Sequence, residues 1–574
     1  MSLKPNNRPF RILYWIPVLT ILGLLSYSCA RIVALEGGPK DTTPPQLTKT
    51  YPAQEGTEFK GKIIKLVFNK DIEVNDIYNQ LVVTPRLPNP NLENKPSYTH
   101  SVRGNTLNLR LQVPLEEGTT YTFHFNDAIK DTTEGNIAED IVLTFSTGDY
   151  VDAMYVTGQV KHLMTGQSAS NALVSLYKAD NENLNILNSP PDYLSKTDEA
   201  GKFKLDHVKK GQYYIYAGTP KESQLTVDPG TDEYGFLKDL IDLTTTSVDD
   251  VMLSILKADV RAFELQSQQP QNQCFELRFS KPVVDYALTL VKKSNELQEE
   301  AVLHSNLVED KRVIRVYNTL GLLTEDGIEA LLTAKDVLGT VIEETVTLHF
   351  KERYGENIPA SYAFHPSSGA SIRPAFVGTM TVDQPVETIV ADRLAFILNG
   401  KEIVELDKQD LKFNAQRDVI TITKKLDLST PTQQTNENAE HEPVDKIALQ
   451  MAEGAFVTVA GDSSKAMQYV YTFKDPKEQG TISGKVTTEA PGFIVQLLDK
   501  EHNVVDSIKN EHNYQFKAVD PGSYKVRLLV LQDKEGAWHF GNIHKRQEPD
   551  PVVVYPADVA VIANWEIEGI DFVF

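Results

Sequence analysis

One seven-residue pattern returns along this chain and limits what it can become. Leu66-Val67-Phe68-Asn69-Lys70-Asp71-Ile72 recurs as Leu277-Arg278-Phe279-Ser280-Lys281-Pro282-Val283 and, more loosely, as Met380-Thr381-Val382-Asp383-Gln384-Pro385-Val386. Each copy reads as a half-buried strand with an abrupt polar or proline end. Downstream of each lie a hairpin and a closing strand. In the first copy these are Tyr121 to Phe125, the turn from Lys130 to Asn136, and Val142 to Phe145. In the second they are Ala330 to Ala334, Lys335 to Gly339, and Val346 to Phe350. In the third they are Phe456 to Ala460, Gly461-Asp462-Ser463-Ser464, and Tyr469 to Phe473. Turn aspartates supply the cap or positive φ that tight hairpins need. Asp131 and Asp336 recur at matching places but in separate domains, which favours turn formation over a paired-carboxylate function.

A second theme appears twice. Val156-Thr157-Gly158-Gln159-Val160 opens a segment that runs through Ala172 to Tyr177 and Thr197 to Leu205, and ends at Val208 to Ala217. It returns as Thr481 to Val486, Ile494 to Asp499, Tyr514 to Phe516 and Val519 to Arg527. Gly201 follows an acidic turn, and Gly211 precedes an aromatic strand. Alternation there puts Tyr214 and Tyr216 on one face and Tyr213 with Ile215 on the other. One face must be core, and the sequence leaves open which.

The N-terminus is an address. Lys4, Arg8 and Arg11 precede an apolar run from Ile12 to Leu25, too short for the ~20 residues of a membrane span and suited to a secretory signal. Ser26-Tyr27-Ser28-Cys29 follows, small residues flanking a bulkier one before a cysteine. This resembles a bacterial lipobox and implies lipidation at Cys29. A paired-glycine, paired-proline tether then runs to Pro45. The chain has two cysteines, so there is no disulfide framework and no Cys-based zinc site. Cys274 would be left alone in an oxidising compartment, harmless if buried. A formal net charge of −22 argues against nucleic-acid binding, which needs a basic face.

Asp41-Thr42-Thr43-Pro44-Pro45, Tyr51-Pro52, Gly56, Phe68-Asn69-Lys70 and Phe145-Ser146-Thr147-Gly148 resemble the bacterial Ig-like domain also found in S-layer proteins. With Gly37-Gly38-Pro39-Lys40-Asp41 after a lipid-type cysteine, the opening resembles a family of Gram-negative Ig-like lipoproteins. The second theme resembles the transthyretin-like, carboxypeptidase-regulatory-like sandwich. The fold expected is all-β, a tandem of Ig-like and transthyretin-like sandwiches after a lipoprotein signal peptide. The expected divisions are signal peptide 1–28, tether 29–45, Ig-like domain 46–148 and transthyretin-like sandwich 153–230. A partly helical insertion over 231–257 follows, on the spacing of Phe236, Leu237, Leu240 and Ile241. Ig-like domains over 258–352 and 358–475 and a transthyretin-like sandwich over 478–574 complete the chain, with a loop from Asp427 to Glu442 inside the third Ig-like copy.

Chemistry is harder to find. No nucleophile-elbow, Walker, dinucleotide or His-Glu-x-x-His motif occurs. The resemblance of the C-terminal segment suggests a calcium-type loop ahead of Trp538. Only Asp533, Glu535 and Asn542 offer side-chain oxygens there, with Lys534 among them, so a solvated hairpin tip is the better reading. His539 and His544 are five apart and share neither a helix face nor a strand face. No enzyme, metal or cofactor is therefore expected. The expected role is a lipid-anchored scaffold, spacer or protein-interaction module on the bacterial outer membrane, the side left open. Its partners would be the membrane and other envelope proteins. An accessory subunit of an outer-membrane assembly or transport complex is one rival, and a glycan-binding surface lipoprotein, through Tyr214 or Trp538, is another.

Overall fold

Burial follows the period of two that the sequence shows. Ile63–Phe68 buries Ile64, Leu66 and Phe68 and turns Ile63 and Lys65 outward. The computed structural model describes residues 40–87, 97–180, 187–221, 225–271, 274–291, 303–319, 327–350, 359–426, 446–473, 478–532 and 536–574. Cys29, the signal segment, most of the tether, the 427–442 stretch, Asp533 and Glu535 lie outside these residues. Among the described residues the architecture is all-β, with helix confined to Ile77–Gln80 and short 3-10 turns. One compact unit holds the first sandwich, and a second, Asp152–Phe574, holds four more.

In the first sandwich, Leu47–Tyr51, Ile63–Phe68, Thr106–Leu111 and Tyr98–Arg103 lie side by side in that order. They face a sheet built on Thr120–His124 and Val142–Ser146. Phe68, Phe123, Phe125 and Phe145 fill the gap completely buried, each contributing roughly 1.5–3 kcal/mol. The third and fourth sandwiches repeat the four-strand order. The third uses Leu265–Pro270, Cys274–Phe279, Val313–Tyr317 and Ser305–Val308. The fourth uses Tyr362–His365, Ala375–Val382, Val419–Lys425 and Leu411–Phe413.

The second and fifth sandwiches share another plan. In the second, Met154–His162 lies between Lys202–Val208 and Val248–Ile255. In the fifth, Gly480–Thr487 lies between Asn513–Val519 and the two short strands Glu566–Ile567 and Phe572–Val573. The expected insertion over 231–257 is corrected here: it contains Tyr234–Phe236, Ile241–Asp242 and Val248–Ile255, all strands of the second sandwich. Val251, Leu253 and Ile255 alternate inward, and that period outweighs the helix-like spacing upstream. Gly158 and Gly484 mark the same place in the two sandwiches. A Cβ on either would sit 2.0 Å from a carbonyl of the closing segment, Val251 or Ile570, so only glycine lets that segment approach.

The recurring lysine explains the Ig-like repeats. Lys281 and Asp336 are almost fully buried, and Nζ donates to Asp336 Oδ2 at 2.5 Å and to the Asp259 carbonyl at 3.0 Å. Asp336 Oδ1 accepts the Thr340 N–H at 2.7 Å, capping its hairpin. Lys70 stands 3.9 Å from Asp131, whose Oδ1 accepts the N–H groups of Thr133, Glu134 and Gly135. Those amides, Glu134 foremost, hold the Asp131 carboxyl below its ordinary range. Both aspartates are thus turn caps that also face the repeated lysine. In the third copy the pair is neutral: Thr458 Oγ1 donates to Gln384 Oε1 at 3.0 Å, both buried. Ile72 faces Asp131, Val283 faces Asp336 and Val386 faces Thr458 in register. Thr458, and not Asp462, therefore stands where Asp131 stands. Asp462 instead accepts the Ala360 N–H from the incoming linker at 2.6 Å. In the first sandwich Lys70 also grips the incoming chain, donating to Asp41 Oδ2 at 2.6 Å and to the Thr43 carbonyl at 2.5 Å.

Removing one partner of a buried pair leaves an uncompensated charge, at a cost of about 3–5 kcal/mol. Cys274 is a free, buried thiol in the third sandwich, its pKa pushed up to about 11 by burial. In a Cys29→Ala background, Lys281→Met is expected to speed Cys274 labelling by about a hundredfold or more. The double change Lys281→Gln with Asp336→Thr, copying the third repeat, should recover most of that loss. Equal labelling of Lys281→Met and the parent would refute the role of the pair.

Asp41 gives a pH prediction. Its carboxyl is pulled down to about 2, first by the Lys70 hydrogen bond and then by the Thr43 N–H. A depressed folded pKa means full stabilisation above the unfolded value near 4, lost as pH falls toward 2. The Thr43 amide donates to Asp41 Oδ1 at 2.9 Å. Its hydrogen-exchange protection should hold at pH 5 and fall between pH 4 and 2, and Asp41→Asn should lower it at pH 5.

Candidate interaction site

The tyrosine strand Gln212–Gly218 obeys the alternation, and both of its faces are covered. Tyr213, Ile215 and Ala217 enter the core of the second sandwich. Tyr213 Oη donates to the Lys209 carbonyl at 2.7 Å, and its ring meets Tyr193 edge-on at 5.8 Å. Tyr216 points the other way, into a cluster with Tyr177, Tyr234 and Phe236. Burial raises the pKa of Tyr216, while the Arg546 cation opposes the rise.

The cover comes from the far end of the chain. Ile543 of the fifth sandwich, 5% exposed, belongs to the Tyr177–Tyr216–Tyr234 cluster. The Arg546 guanidinium lies 3.8 Å from the centre of the Tyr214 ring. Its Nη2 also donates to the carbonyls of Leu237, at 3.1 Å, and Lys238, at 2.7 Å. Glu548 Oε1 accepts the Lys238 N–H at 2.6 Å, and Arg527 Nη1 donates to the Met164 carbonyl at 2.9 Å. A cation, an acid and an aliphatic anchor from one loop thus meet an aromatic face. This is the composition of a protein–protein interface.

The loop is shaped by its own bonds. Asn542 and Gln547 exchange backbone hydrogen bonds of 2.7 and 3.0 Å, and Asn542 Oδ1 accepts the Lys545 N–H. Trp538 Nε1 donates to the Asp550 carbonyl at 3.1 Å. His539 Nδ1 lies 2.9 Å from Asp550 Oδ2, which also accepts the His539 N–H at 2.9 Å. Asn542 therefore caps a turn, and His539 pairs with Asp550. Among the described residues no group of three or more His, Cys, Asp or Glu side chains is placed to hold a metal. A cavity of about 20 Å³ remains between Ile543, Leu225, Val227, Tyr177, Tyr216 and Tyr234. That is room for about one water, against the ~300 Å³ or more of a small-molecule site.

Sequence reasoning offered Tyr214 or Trp538 for a glycan and left open which face of the tyrosine strand is core. The structure places Tyr214 under Arg546, Tyr216 in a buried cluster and Trp538 against Asp550 and Phe540. It missed Ile543, Arg546 and Glu548. No local spacing points to them, because their partners are about 300 positions away.

These sheets define a serial array of β-sandwiches. Residues 41–147 match the bacterial Ig-like domain family. A comparison with curated proteins gave no match. Among solved structures, the major pilin subunit of Bacillus cereus is similar over 73% of this chain and 99% of its own, at 11% identity and a TM-score of 0.12. The S-layer protein rSbsC is similar over 84% of this chain and 64% of its own, at 12% identity and a TM-score of 0.13. The fold of the array rests on its strand pairing, and that of residues 41–147 also on the family match.

Arg546→Ala removes a cation–π contact and two charge-assisted hydrogen bonds, about 2 kcal/mol together. The expected outcome is faster tryptic cleavage at Lys545, by roughly thirtyfold, with the sandwiches still folded by circular dichroism. Arg546→Lys should not rescue it, since an ammonium lacks the planar fork. Unchanged cleavage in Arg546→Ala and in Ile543→Asp would show that this contact does not hold the loop.

Proposed function

We propose that this chain is a lipid-anchored envelope protein that works as a scaffold, spacer and protein-interaction module without catalysis. The observation that carries the reading is the docked tether. Lys70 holds Asp41 and Thr43, and Asn136 Nδ2 donates to the Asp41 carbonyl at 2.8 Å. The path from a lipidated Cys29 to Asp41 is then at most about 40 Å long, so the first sandwich would stay near the bilayer. Two or more acyl chains at Cys29 would make the anchoring stable. The net charge of −22 suits repulsion from an anionic lipid surface and projection away from it. Outer-membrane placement and envelope-protein partners belong to this reading. Among the described residues no helix is long and apolar enough to cross a membrane.

A glycan-binding reading keeps one observation. Tyr78 is half exposed, stacked on Tyr98 at 5.5 Å and met edge-on by His100 at 5.6 Å, a more open aromatic surface than Tyr214. Glycan-array signal lost in Tyr78→Ala would favour it.

The deciding experiment is affinity purification from gently solubilised membranes through a C-terminal tag, with metabolic acyl labelling and a Cys29→Ala control. The expected result is acyl label on the parent, none on Cys29→Ala, and a stoichiometric membrane partner reduced when the anchor is removed. Membrane recovery of Cys29→Ala equal to the parent would overturn the lipid anchor. Recovery of the lipidated protein alone would leave the spacer role and remove the accessory-subunit reading.

A further inference from the structure

Four of the five sandwiches are closed by the same device: an N-terminal segment pairs in parallel with the last, the first strand itself in the second and fifth and the short run after it in the first and fourth. In the first, Gly56 bridges Phe145, and Glu55, Glu58 and Phe59 donate to the carbonyls of Thr144, Gly148 and Ser146 at 2.7–3.0 Å. In the second, Val156 to His162 runs beside Val248 to Ile255. In the fourth, Ser371 and Ile372 run beside Thr472 and Phe473. In the fifth, Thr481 to Thr487 runs beside Glu566 to Val573.

Side chains reinforce each seam. Gln54 Oε1 accepts the Thr144 N–H at 3.1 Å. Thr157 Oγ1 donates to Asp249 Oδ1 at 2.8 Å, and the Tyr155 N–H donates to Ser247 Oγ at 3.1 Å. Ser371 and Thr472 hydroxyls share a bond of 2.9 Å. The Lys485 N–H donates to Asp571 Oδ1 at 2.7 Å. The third sandwich differs: among the described residues Leu265–Pro270 pairs with Cys274–Phe279, Val341–Leu348 with Ile328–Asp336, and no parallel pair joins first to last.

Parallel pairing has a mechanical meaning. The chain enters at one end of such a seam and leaves at the other, so tension along the chain runs along the ladder. Every hydrogen bond in the seam is then loaded together, and the strands must slip as a block. With antiparallel terminal strands, entry and exit share an end, and the bonds break in succession. Each bond is weak alone, so the direction of loading decides whether they resist singly or jointly.

We propose that this chain is a tension-bearing element, its parallel seams holding sandwiches closed when its two ends are pulled apart. The proposal deepens the scaffold reading and rests on it for the source of the load, but the mechanical property is measured without any anchor.

The test is single-molecule pulling of the full chain in a Cys29→Ser, Cys274→Ser background, with cysteine handles in two geometries. Asp149→Cys with Lys257→Cys loads the second sandwich along its seam. Gln167→Cys with Lys257→Cys holds both strands at the same end, because the His162 N–H donates to the Gln167 carbonyl. Equilibrium stability is common to both geometries, so a difference in rupture force reads only direction. The expected result is a rupture force several-fold higher in the first geometry. Equal forces overturn the proposal. Handles at Lys257→Cys and His349→Cys load the third sandwich alone, which should open at a lower force than the second held at Asp149→Cys and Lys257→Cys. A third sandwich that resists as well or better would also overturn the proposal. Loss of acyl label at Cys29 affects neither result, so failure of the anchor reading and failure of this one are separable.

Discussion

A lysine ammonium taken out of water needs acceptors on several sides, and that demand organises the Ig-like sandwiches. In the third sandwich Lys281 meets it with the Asp336 carboxylate, the Asp259 carbonyl and the face of Phe263 at 5.8 Å. One residue thereby joins the end of the second strand, a hairpin turn and the incoming linker. In the first sandwich Lys70 does the same for Asp131 and the Asp41–Thr43 tether. The fourth sandwich meets the same geometric need without charge through Gln384 and Thr458. The neutral version shows that the position requires a polar bridge between strand end and turn, and that charge is one way to supply it. Buried ion pairs add little net stability over well-packed neutral groups, so specificity of the linker path is the more economical account of the charged versions.

Much of the fold was legible because its signals are local. The Phe68-Asn69-Lys70 strand, its two echoes, the turn aspartates and the Gly158 and Gly484 strands all report neighbours a few residues away. The tyrosine alternation was legible too: Tyr213 and Tyr216 do take opposite faces. The identity of the cover over Tyr216 was not, because Ile543 lies in another sandwich and leaves no periodic trace near Tyr216. The stretch from Asp232 to Lys257 reads as partly helical from sequence and folds as strands. Its first half spaces Leu237, Leu240 and Ile241 like a helix, and Val251, Leu253 and Ile255 state the strand only at the end. In the third repeat the eye settles on Asp462, an aspartate in a turn, whereas register puts Thr458 at that place.

The two sandwich plans solve one problem differently. A small β domain must dispose of the free edges of its terminal strands. The second and fifth sandwiches place a glycine at mid-strand so that the closing segment can approach the first strand. The first and fourth use short runs at Gly56 and Ser371 beside the closing strand. The third leaves its terminal strands at separate sheet edges among the described residues.

The contact between Arg546 and the Leu237 carbonyl joins positions 309 apart. Synthesis runs from the N-terminus, so the Tyr177–Tyr216–Tyr234 face is made long before the segment that covers it. At ~10 residues per second the interval is roughly half a minute. Throughout that time an aromatic surface, flanked by the short strand Tyr234–Phe236, stands bare to solvent and to other nascent chains. The last sandwich therefore supplies the second with its cover late, and a chain truncated before Ile543 lacks that cover.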